Sequence, residues 1–225
     1  MSAIDLFNKF SLCNEISLHI KYEIKLFHYS YNNVWFVTND DQVYGLGYNQ
    51  CGIFGLGHNI DVNQPQVIPE LCQKNINKFS IGTDFALCIT SDQQIYSWGC
   101  NGCKQLCRHT SDEYSKPAII TFLSDKCIID ITCGSYHSLA LTSAGTVYGW
   151  GYNRYGQCGC EQEFKCIDSP TRVIFHENIR IKSIYCYNCC SFAITSDGLV
   201  YSWGDNQDNQ LGHKNLYLYK PIEIK

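Results

Sequence analysis

Cysteine is the residue type with the most evident chemistry in this chain of 225 residues, which contains fifteen of them. Two groups have the close spacing that metal-binding thiolates use: Cys100, Cys103 and Cys107, and Cys186, Cys189 and Cys190. A structural zinc site needs four ligands that converge about 2.3 Å from the ion, and nothing in the spacing brings the two groups together. We therefore predict no metal site.

The cysteines also do not indicate a disulfide scaffold. Their number is odd, no signal segment precedes them, and the sequence contains no Asn-x-Ser/Thr acceptor. Reduced thiols are the better interpretation. Cys51 and Cys103, and likewise Cys133 and Cys186, occupy equivalent positions of a repeat, as small buried apolar residues would.

Histidine offers a second kind of chemistry. His137 opens a predicted strand, but Phe85 and Cys190 occupy the corresponding positions of neighbouring repeats, which favours a structural role over catalysis. His58 and His213 also share a repeat position, in loops, and no third metal ligand accompanies them.

The remaining motifs do not indicate an enzyme. The stretch GLGYNQCGIFGLG, from Gly45 to Gly57, matches neither G-x-G-x-x-G nor G-x-x-x-x-G-K-[ST], so we interpret it as turns and close packing rather than a phosphate loop. The sequence contains no G-x-S-x-G elbow and no Ser/His/Asp constellation. We predict a non-enzymatic protein with no catalytic, cofactor-binding or metal-binding residues; its binding residues cannot be named from the sequence.

Composition and charge narrow the class of protein. The chain is 45% hydrophobic and 14% aromatic, which is enough for a sizeable core, and its formal charge is −4. Basic residues are scattered, so nucleic acid is not the predicted partner. No stretch of 18 apolar residues and no signal sequence occurs, which favours a soluble protein of the cytoplasm or nucleus without membrane binding.

All these residues belong to copies of one unit, which repeats about every 52 residues. The aromatic patterns YGLG, YSWG, YGWG and YSWG begin at positions 44, 96, 148 and 201. Threonine, asparagine and proline keep the same steps at Thr38, Thr90, Thr142 and Thr195, at Asn49, Asn101, Asn153 and Asn206, and at Pro65, Pro117, Pro170 and Pro221. A period near 50 with paired strands and Gly/aromatic punctuation is typical of propeller blades.

The third copy shows what each unit is expected to form. Residues 138–142 alternate as a half-buried strand, and a return strand follows the turn. In that strand Tyr148 and Trp150 point to one face and Gly149 and Gly151 to the other. The bare face is expected to press against the aromatic face of a neighbouring sheet. The sequence therefore predicts an all-β fold, a β-propeller of four-stranded blades.

We divide the chain into an N-terminal segment, residues 1–33, and a propeller domain, residues 34–225. The segment has strand character near 24–27 and the start of a short helix at Asn14. The repeats cover about 42–93, 94–145, 146–198 and, in part, 199–225. Together with an N-terminal half-unit they amount to about four blades.

The third copy, HSLALTSAGTVYGWGYNRYGQCG, and its echo SFAITSDGLVYSWGDNQDNQLGH resemble the repeat of the regulator of chromosome condensation family. The resemblance covers residues 34–225 and implies blades shaped for a seven-bladed propeller. The segment FSLCNEISLHIKYEIKLFHYSYNNVWFVTNDDQVYGLGYN is similar to the start of the subgroup that carries a BTB domain, which is absent here. Four such blades predict an incomplete ring, an open arc with two exposed faces or edges. Such a chain is expected either to dimerise or to be a truncated product of a longer propeller gene that is poorly soluble alone.

The resemblance implies two alternative functions. The first is a protein–protein interaction module that recruits substrates in ubiquitin-ligase pathways. The second is guanine-nucleotide exchange on a Ran-like small GTPase, which in the family's founding member uses a projecting β-hairpin and a basic tail. The regular repeat steps leave no room for such a hairpin, and the chain is acidic. We therefore favour the interaction module, with the identity of its protein partner left open.

Overall fold

The computed structural model describes residues 24–30, 32–108, 114–160, 164–175 and 179–224. The helix predicted near Asn14 lies outside these residues. Within them the chain forms strands and three short 3-10 turns, at Gln50–Gly52, Pro69–Leu71 and Thr121–Leu123, and no α-helix. The all-β prediction is confirmed, and none of the described residues form a helix that could cross a membrane.

The described strands form four antiparallel four-stranded sheets, each built from consecutive strands, which we call blades 1 to 4. Blade 1 contains β1 (Ile24–Ser30), β2 (Asn33–Thr38), β3 (Val43–Gly47) and β4 (Val62–Val67). Blade 2 contains β5 (Ile76–Ile81), β6 (Phe85–Thr90), β7 (Ile95–Gly99) and β8 (Ala118–Ile119). Blade 3 contains β9 (Ile128–Cys133), β10 (His137–Thr142), β11 (Val147–Tyr152) and β12 (Cys166–Arg172). Blade 4 contains β13 (Ile181–Tyr187), β14 (Cys190–Thr195), β15 (Val200–Asp205) and β16 (Tyr217–Glu223).

The blades form an open arc. Their first strands, β1, β5, β9 and β13, follow one another in contact, and the ends of all four line one cavity of about 380 Å³. β1 pairs with β2 and β2 with β3, all within blade 1, and β16 pairs with β15 as the outermost strand of blade 4. Among the described strands, none is exchanged between the first and the last blade, so the sheets do not close into a ring and the predicted open arc of four blades is confirmed.

The repeated threonines fix the turn between the second and third strand of each blade. Each threonine Oγ1 accepts a hydrogen bond from the backbone N–H four residues later, at distances of 2.8 to 3.1 Å. In blades 1, 2 and 4 the same hydroxyl also donates to the aspartate two residues on. In blade 3 Ala144 replaces that aspartate. The next residue has positive φ in all four turns, and in blades 3 and 4 it is a glycine, Gly145 or Gly198, which adopts this conformation without strain.

The loop after β7 differs in sequence from the equivalent loop of the third copy, but the two loops share a backbone conformation at two positions. Lys104 and Cys107 have φ of 65° and 50°, in the left-handed region where the third copy has Gly156 and Gly159. The loop therefore keeps the left-handed conformation at both positions without glycine. Two non-glycine residues adopt a backbone that usually costs roughly 1 kcal/mol each, because the buried loop dictates it.

The repeated tryptophans join successive blades. Trp98, Trp150 and Trp203 are completely buried, and each indole Nε1 donates to a backbone carbonyl in the loop of the preceding blade. The acceptors are Ile53, Gln105 and Gln157, at 2.6, 2.8 and 3.0 Å. We call each of these bonds a tryptophan latch.

The glycine face of β11, the third strand of blade 3, is covered by a different element from the one predicted. A Cβ on Gly149 would lie 2.2 Å from the carbonyl oxygen of Cys158, so the blade's own loop covers this face. The tryptophan of the next blade then approaches that loop, where a Cβ on Gly159 would lie 2.8 Å from Trp203 Nε1. The close approach therefore depends on loop glycines as well as strand glycines, and Gly55 has the same role beside Trp98.

Candidate protein-binding face

One end of the arc is formed by the loops that follow β3, β7, β11 and β15, and the repeated asparagines hold these loops. In each blade the asparagine Oδ1 accepts from the backbone N–H five residues later, at 2.8 to 3.0 Å. Asn206 also donates through Nδ2 to the carbonyls of His213 and Asn215, at 2.8 and 2.7 Å. The loops are thus anchored on a rigid scaffold, the usual arrangement of a binding surface.

Tyrosines collect at this end of the arc, which we call the tyrosine face. Its exposed members are distributed from blade 1 to blade 4, with Tyr48 at 58% and Tyr187 at 72% exposure. The full set in the described residues that we assign to this face is Tyr29, Tyr48, Tyr136, Tyr152, Tyr155, Tyr187, Tyr217 and Tyr219. Tyrosine is enriched in protein interfaces because its ring supplies apolar contact area and its hydroxyl supplies a hydrogen bond.

Four of these tyrosines form a continuous chain of ring contacts across blades 3 and 4. Tyr136 meets Tyr152 at 6.5 Å between ring centroids, Tyr152 meets Tyr155 at 6.0 Å, and Tyr155 stacks on Tyr217 at 5.2 Å. Rings held by one another lose little conformational freedom when a partner binds. The neighbouring Tyr152 raises the pKa of Tyr155. A tyrosine hydroxyl is protonated at neutral pH even without such a shift, so Tyr155 can donate a hydrogen bond to a partner.

A groove of about 600 Å³ lies at the end of this chain, between blades 3 and 4. Tyr219 donates its hydroxyl to the carbonyl of Arg154 at 3.0 Å, which fixes one wall. Six described residues line the groove: Arg154, Tyr155, Lys165, Gln207, Tyr217 and Tyr219. It combines aromatic rings with two positive charges, a combination suited to a peptide segment that presents an apolar side chain beside a carboxylate.

His137 is structural. It is completely buried, and its Nε2 lies 2.8 Å from Ser191 Oγ. Ser191 donates its own proton to the carbonyl of Gln157 at 2.7 Å, so the histidine is the donor in this pair and the serine is not activated. Burial lowers the pKa of His137 to about 3, so it is neutral at physiological pH. The pair joins blade 3 to blade 4, as the structural interpretation predicted.

The two histidines that share a repeat position, His58 and His213, lie in the first and the last blade. His58 belongs to the loop after β3, where its Nδ1 lies 3.3 Å from Asn49 Nδ2. His213 belongs to the loop after β15 and contributes a carbonyl to Asn206. Since the two lie in blades 1 and 4, they are not brought together as metal ligands.

The two cysteine groups are also separate, in blades 2 and 4. No cluster of three or more metal-ligating side chains occurs among the residues that the structure describes. Burial, followed by the neighbouring thiol of Cys166, raises the pKa of Cys103 to about 11, and burial raises that of Cys107 to about 12. These thiols are protonated at neutral pH and are therefore poor nucleophiles and poor metal ligands.

The interpretation of repeated cysteines as small buried residues is right in one place and wrong in another. Cys133 is buried against blade 2, and its backbone N–H donates a hydrogen bond to Ser80 Oγ at 2.8 Å. Cys51, however, is exposed, because it lies in the loop after β3 rather than in a strand. Every cysteine in the described ranges is free, which agrees with reduced thiols.

Comparison with known proteins supplies the family. The RCC1-like domain family matches residues 18–224 of the chain. The chain belongs to this family. Solved propellers show the same fold: human WBSCR16 superposes with a TM-score of 0.78 at 22% identity over 90% of this chain and 53% of that one. Prp20p from Saccharomyces cerevisiae gives a TM-score of 0.75 at 21% identity over 93% of this chain and 53% of its own.

The relatives of this RCC1-like chain in sequence include proteins named as a kinase, a receptor and a ubiquitin ligase. The kinase Nek9 of Xenopus laevis is 32% identical over 72% of the chain and 17% of its own length. The ultraviolet-B receptor UVR8 of Arabidopsis thaliana is 29% identical over 78% of the chain and 40% of its length. The human E3 ubiquitin-protein ligase HERC2 is 29% identical over 84% of the chain and 4% of its length. The chain thus spans less than half of each of these relatives.

The tyrosine face is the feature that sequence reasoning did not identify. The repeat does predict the loops that carry this face, since an asparagine marks the beginning of each loop. Most of the tyrosines occupy loop positions that differ from blade to blade, so the repeat pattern does not identify them. An alignment of the four loops by their asparagines would have grouped Tyr48 with Tyr152, each immediately before the asparagine.

Proposed function

We propose that this chain is a non-enzymatic protein-binding module, that its tyrosine face holds the partner, and that the partner is a substrate protein recruited in a ubiquitin-ligase pathway. The observation that carries the proposal is the chain of ring contacts from Tyr136 to Tyr217 beside a groove lined by Arg154 and Lys165. Interface hot spots are enriched in Tyr, Trp and Arg, and they need rigid support. The asparagine-anchored loops provide that support.

Two considerations favour the ubiquitin-ligase context. HERC2, which is named an E3 ubiquitin-protein ligase, is a relative over 84% of the chain, and the N-terminal sequence resembles propellers that carry a BTB domain. His137 is buried and neutral, and burial raises the pKa values of Cys103 and Cys107, so none of these three side chains is an activated group. A binding role needs no such group.

Guanine-nucleotide exchange on a Ran-like GTPase is the alternative. The fold neighbour Prp20p was described with its binding properties to Gsp1p and histones. Against this alternative, the net charge of −4 does not favour chromatin. The regular repeat leaves no room for a projecting hairpin. We therefore rank exchange second.

Affinity capture from cell lysate with quantitative mass spectrometry tests the proposal. The variant Tyr155→Ser/Tyr217→Ser removes the stacked pair, and Phe122→Ser at the opposite end of the arc, where Phe122 is 46% exposed, is the matched control. We expect a ubiquitin-ligase component or its substrate to be captured by the parent and the control. We expect the double variant to capture it at least about tenfold less, since two interface aromatics commonly contribute 2 kcal/mol or more.

Two results would overturn the proposal. One is recovery of a small GTPase whose nucleotide release the chain accelerates. The other is a partner that the double variant still captures fully while Phe122→Ser loses it. The first outcome favours the exchange alternative, and the second moves the binding site to the other end of the arc.

A further inference from the structure

The loops after β7 and β11 hold two equivalent residues in the same way. Cys103 in the first loop and Tyr155 in the second each lie two residues after the anchoring asparagine. The backbone N–H of each donates to the side-chain oxygen of the glutamine two residues later, Gln105 or Gln157, at 2.8 and 3.0 Å. Cys103 therefore occupies in blade 2 the place that Tyr155 occupies in blade 3.

The outer strands that these loops face are equivalent as well. In blade 3, Cys166 of β12 pairs with Tyr152 of β11, the residue immediately before the asparagine. In blade 4, Tyr217 of β16 pairs with Asp205 in the corresponding position of β15. Cys166 therefore occupies in blade 3 the place that Tyr217 occupies in blade 4.

These two places meet across a junction between blades. At the junction of blades 3 and 4, the rings of Tyr155 and Tyr217 stack with centroids 5.2 Å apart. The junction of blades 2 and 3 has the same architecture, since both junctions contain a tryptophan latch. The repeat thus places Cys103 beside Cys166, with two thiols where the next junction has two stacked rings.

The ionisation of Cys103 reflects the same contact. Burial, followed by the neighbouring thiol of Cys166, raises the pKa of Cys103 to about 11. Both cysteines are half-buried rather than enclosed, so a small oxidant in solution reaches them. Two neighbouring thiols that an oxidant can reach meet the conditions for a disulfide.

Cys100 is a second thiol near Cys103, but it faces the other junction. Burial, then Asp84 and the Cys100 thiol, raise the pKa of Cys51 in the loop of blade 1. The backbone N–H of Cys100 donates to the carbonyl of Asp84 at 2.7 Å, which holds it on that side. Cys100 also has a smaller effect than Cys166 on the pKa of Cys103. The folded chain therefore favours Cys166 as the partner of Cys103.

We propose that Cys103 and Cys166 are a reversible redox site, at which hydrogen peroxide forms a disulfide that joins blade 2 to blade 3. The sulfur of Cys166 attacks one peroxide oxygen; the O–O bond breaks, one water leaves, and Cys166 becomes a sulfenic acid. The sulfur of Cys103 then attacks the sulfenic sulfur, the S–O bond breaks, and the hydroxyl leaves with the Cys103 proton as a second water. Two thiols are oxidised to one disulfide, and one hydrogen peroxide is reduced to two waters.

The order of the two steps follows from the environment of Cys103. With a pKa of about 11 this thiol keeps its proton at neutral pH, so we assign the first attack to Cys166. The site adjoins the groove of the tyrosine face, because Lys165, which lines the groove, precedes Cys166 in the chain. It does not depend on the binding of a partner there.

Disulfide mapping on the full chain tests the proposal. The reduced chain is treated with hydrogen peroxide, its remaining thiols are blocked, and its peptides are identified by mass spectrometry without reduction. In the folded chain we expect most of the oxidised Cys103 to be recovered with Cys166. In concentrated urea we expect it with Cys100 or Cys107 instead, because closing a short loop costs less entropy. The same partners in both conditions, or Cys100 as the main partner in the folded chain, would contradict the proposal.

Two substitutions separate the pair from the neighbouring thiols. Cys166→Ser is expected to leave Cys103 as a free thiol after peroxide treatment, whereas the matched control Cys100→Ser is expected to keep the disulfide. A dithiol reductant is expected to restore both thiols. A Cys103 disulfide that survives Cys166→Ser, loss of the disulfide in Cys100→Ser, or irreversible oxidation of Cys166 without a disulfide would overturn the proposal.

Discussion

At the scale of single residues, the repeated polar side chains of the described residues connect loops and blades. His137, Ser191 and the Gln157 carbonyl look like part of a catalytic relay when listed by type. Their hydrogen bonds instead run from histidine to serine to a carbonyl that also holds Trp203. Burial keeps the histidine neutral.

This burial predicts a specific pH dependence of stability. His137 has a pKa near 6.5 when unfolded and about 3 when folded, so below pH 6.5 the unfolded chain binds a proton that the folded chain does not. Stability from this residue is therefore complete above pH 6.5 and decreases as the pH falls toward 3. We expect a loss of about 2 kcal/mol between pH 7 and pH 5 from this residue alone.

The variant His137→Phe isolates the effect, because Phe85 occupies the same position in blade 2. Urea denaturation at several pH values should show a shallower decrease in the unfolding free energy for the variant than for the parent between pH 7 and pH 5. Parallel curves for the two proteins would mean that His137 is not buried in its neutral form.

At the scale of elements, the tryptophan latches are the main connections between blades. Each combines a fully buried indole with a hydrogen bond to the preceding loop. We expect Trp98→Ala, Trp150→Ala and Trp203→Ala each to lower the unfolding free energy by about 3 to 5 kcal/mol, because a large buried side chain is lost and a buried carbonyl loses its donor. Chemical denaturation measures this; three variants as stable as the parent would disprove the assigned blade register.

Much of the arrangement of strands and loops could be predicted from the sequence, and particular residues show why. Threonine, asparagine and tryptophan recur because each makes the same backbone bond in successive blades, so their spacing reports structure directly. The positive φ of Lys104 and Cys107 could not be predicted from the sequence, because non-glycine residues usually avoid this conformation and here the packed loop imposes it. The prediction that the face of Gly149 packs on a neighbouring sheet was partly wrong, because the sequence of one strand does not indicate which loop packs over it.

At the scale of the whole molecule, the arrangement of four blades in an open arc brings tyrosines from separate loops onto one face. The number of blades followed from the repeat, and the leucine at position 46 already distinguished the first copy from the others. The tyrosine face did not follow, because its members come from loops that the repeat positions but does not specify. Contacts such as Tyr155 with Tyr217, 62 positions apart in the sequence, exist only after blades 3 and 4 are placed side by side.

Binding of a protein partner at the tyrosine face is the central claim, and an exchange footprint tests it most directly. Amide hydrogen–deuterium exchange is measured on the full chain alone and with the partner that affinity capture identifies. We predict slower exchange in residues 150–158 and 205–219, which carry Tyr152, Tyr155, Tyr217 and Tyr219. Protection confined to the turns at the opposite end, residues 38–43, 90–95, 142–147 and 195–200, would contradict it.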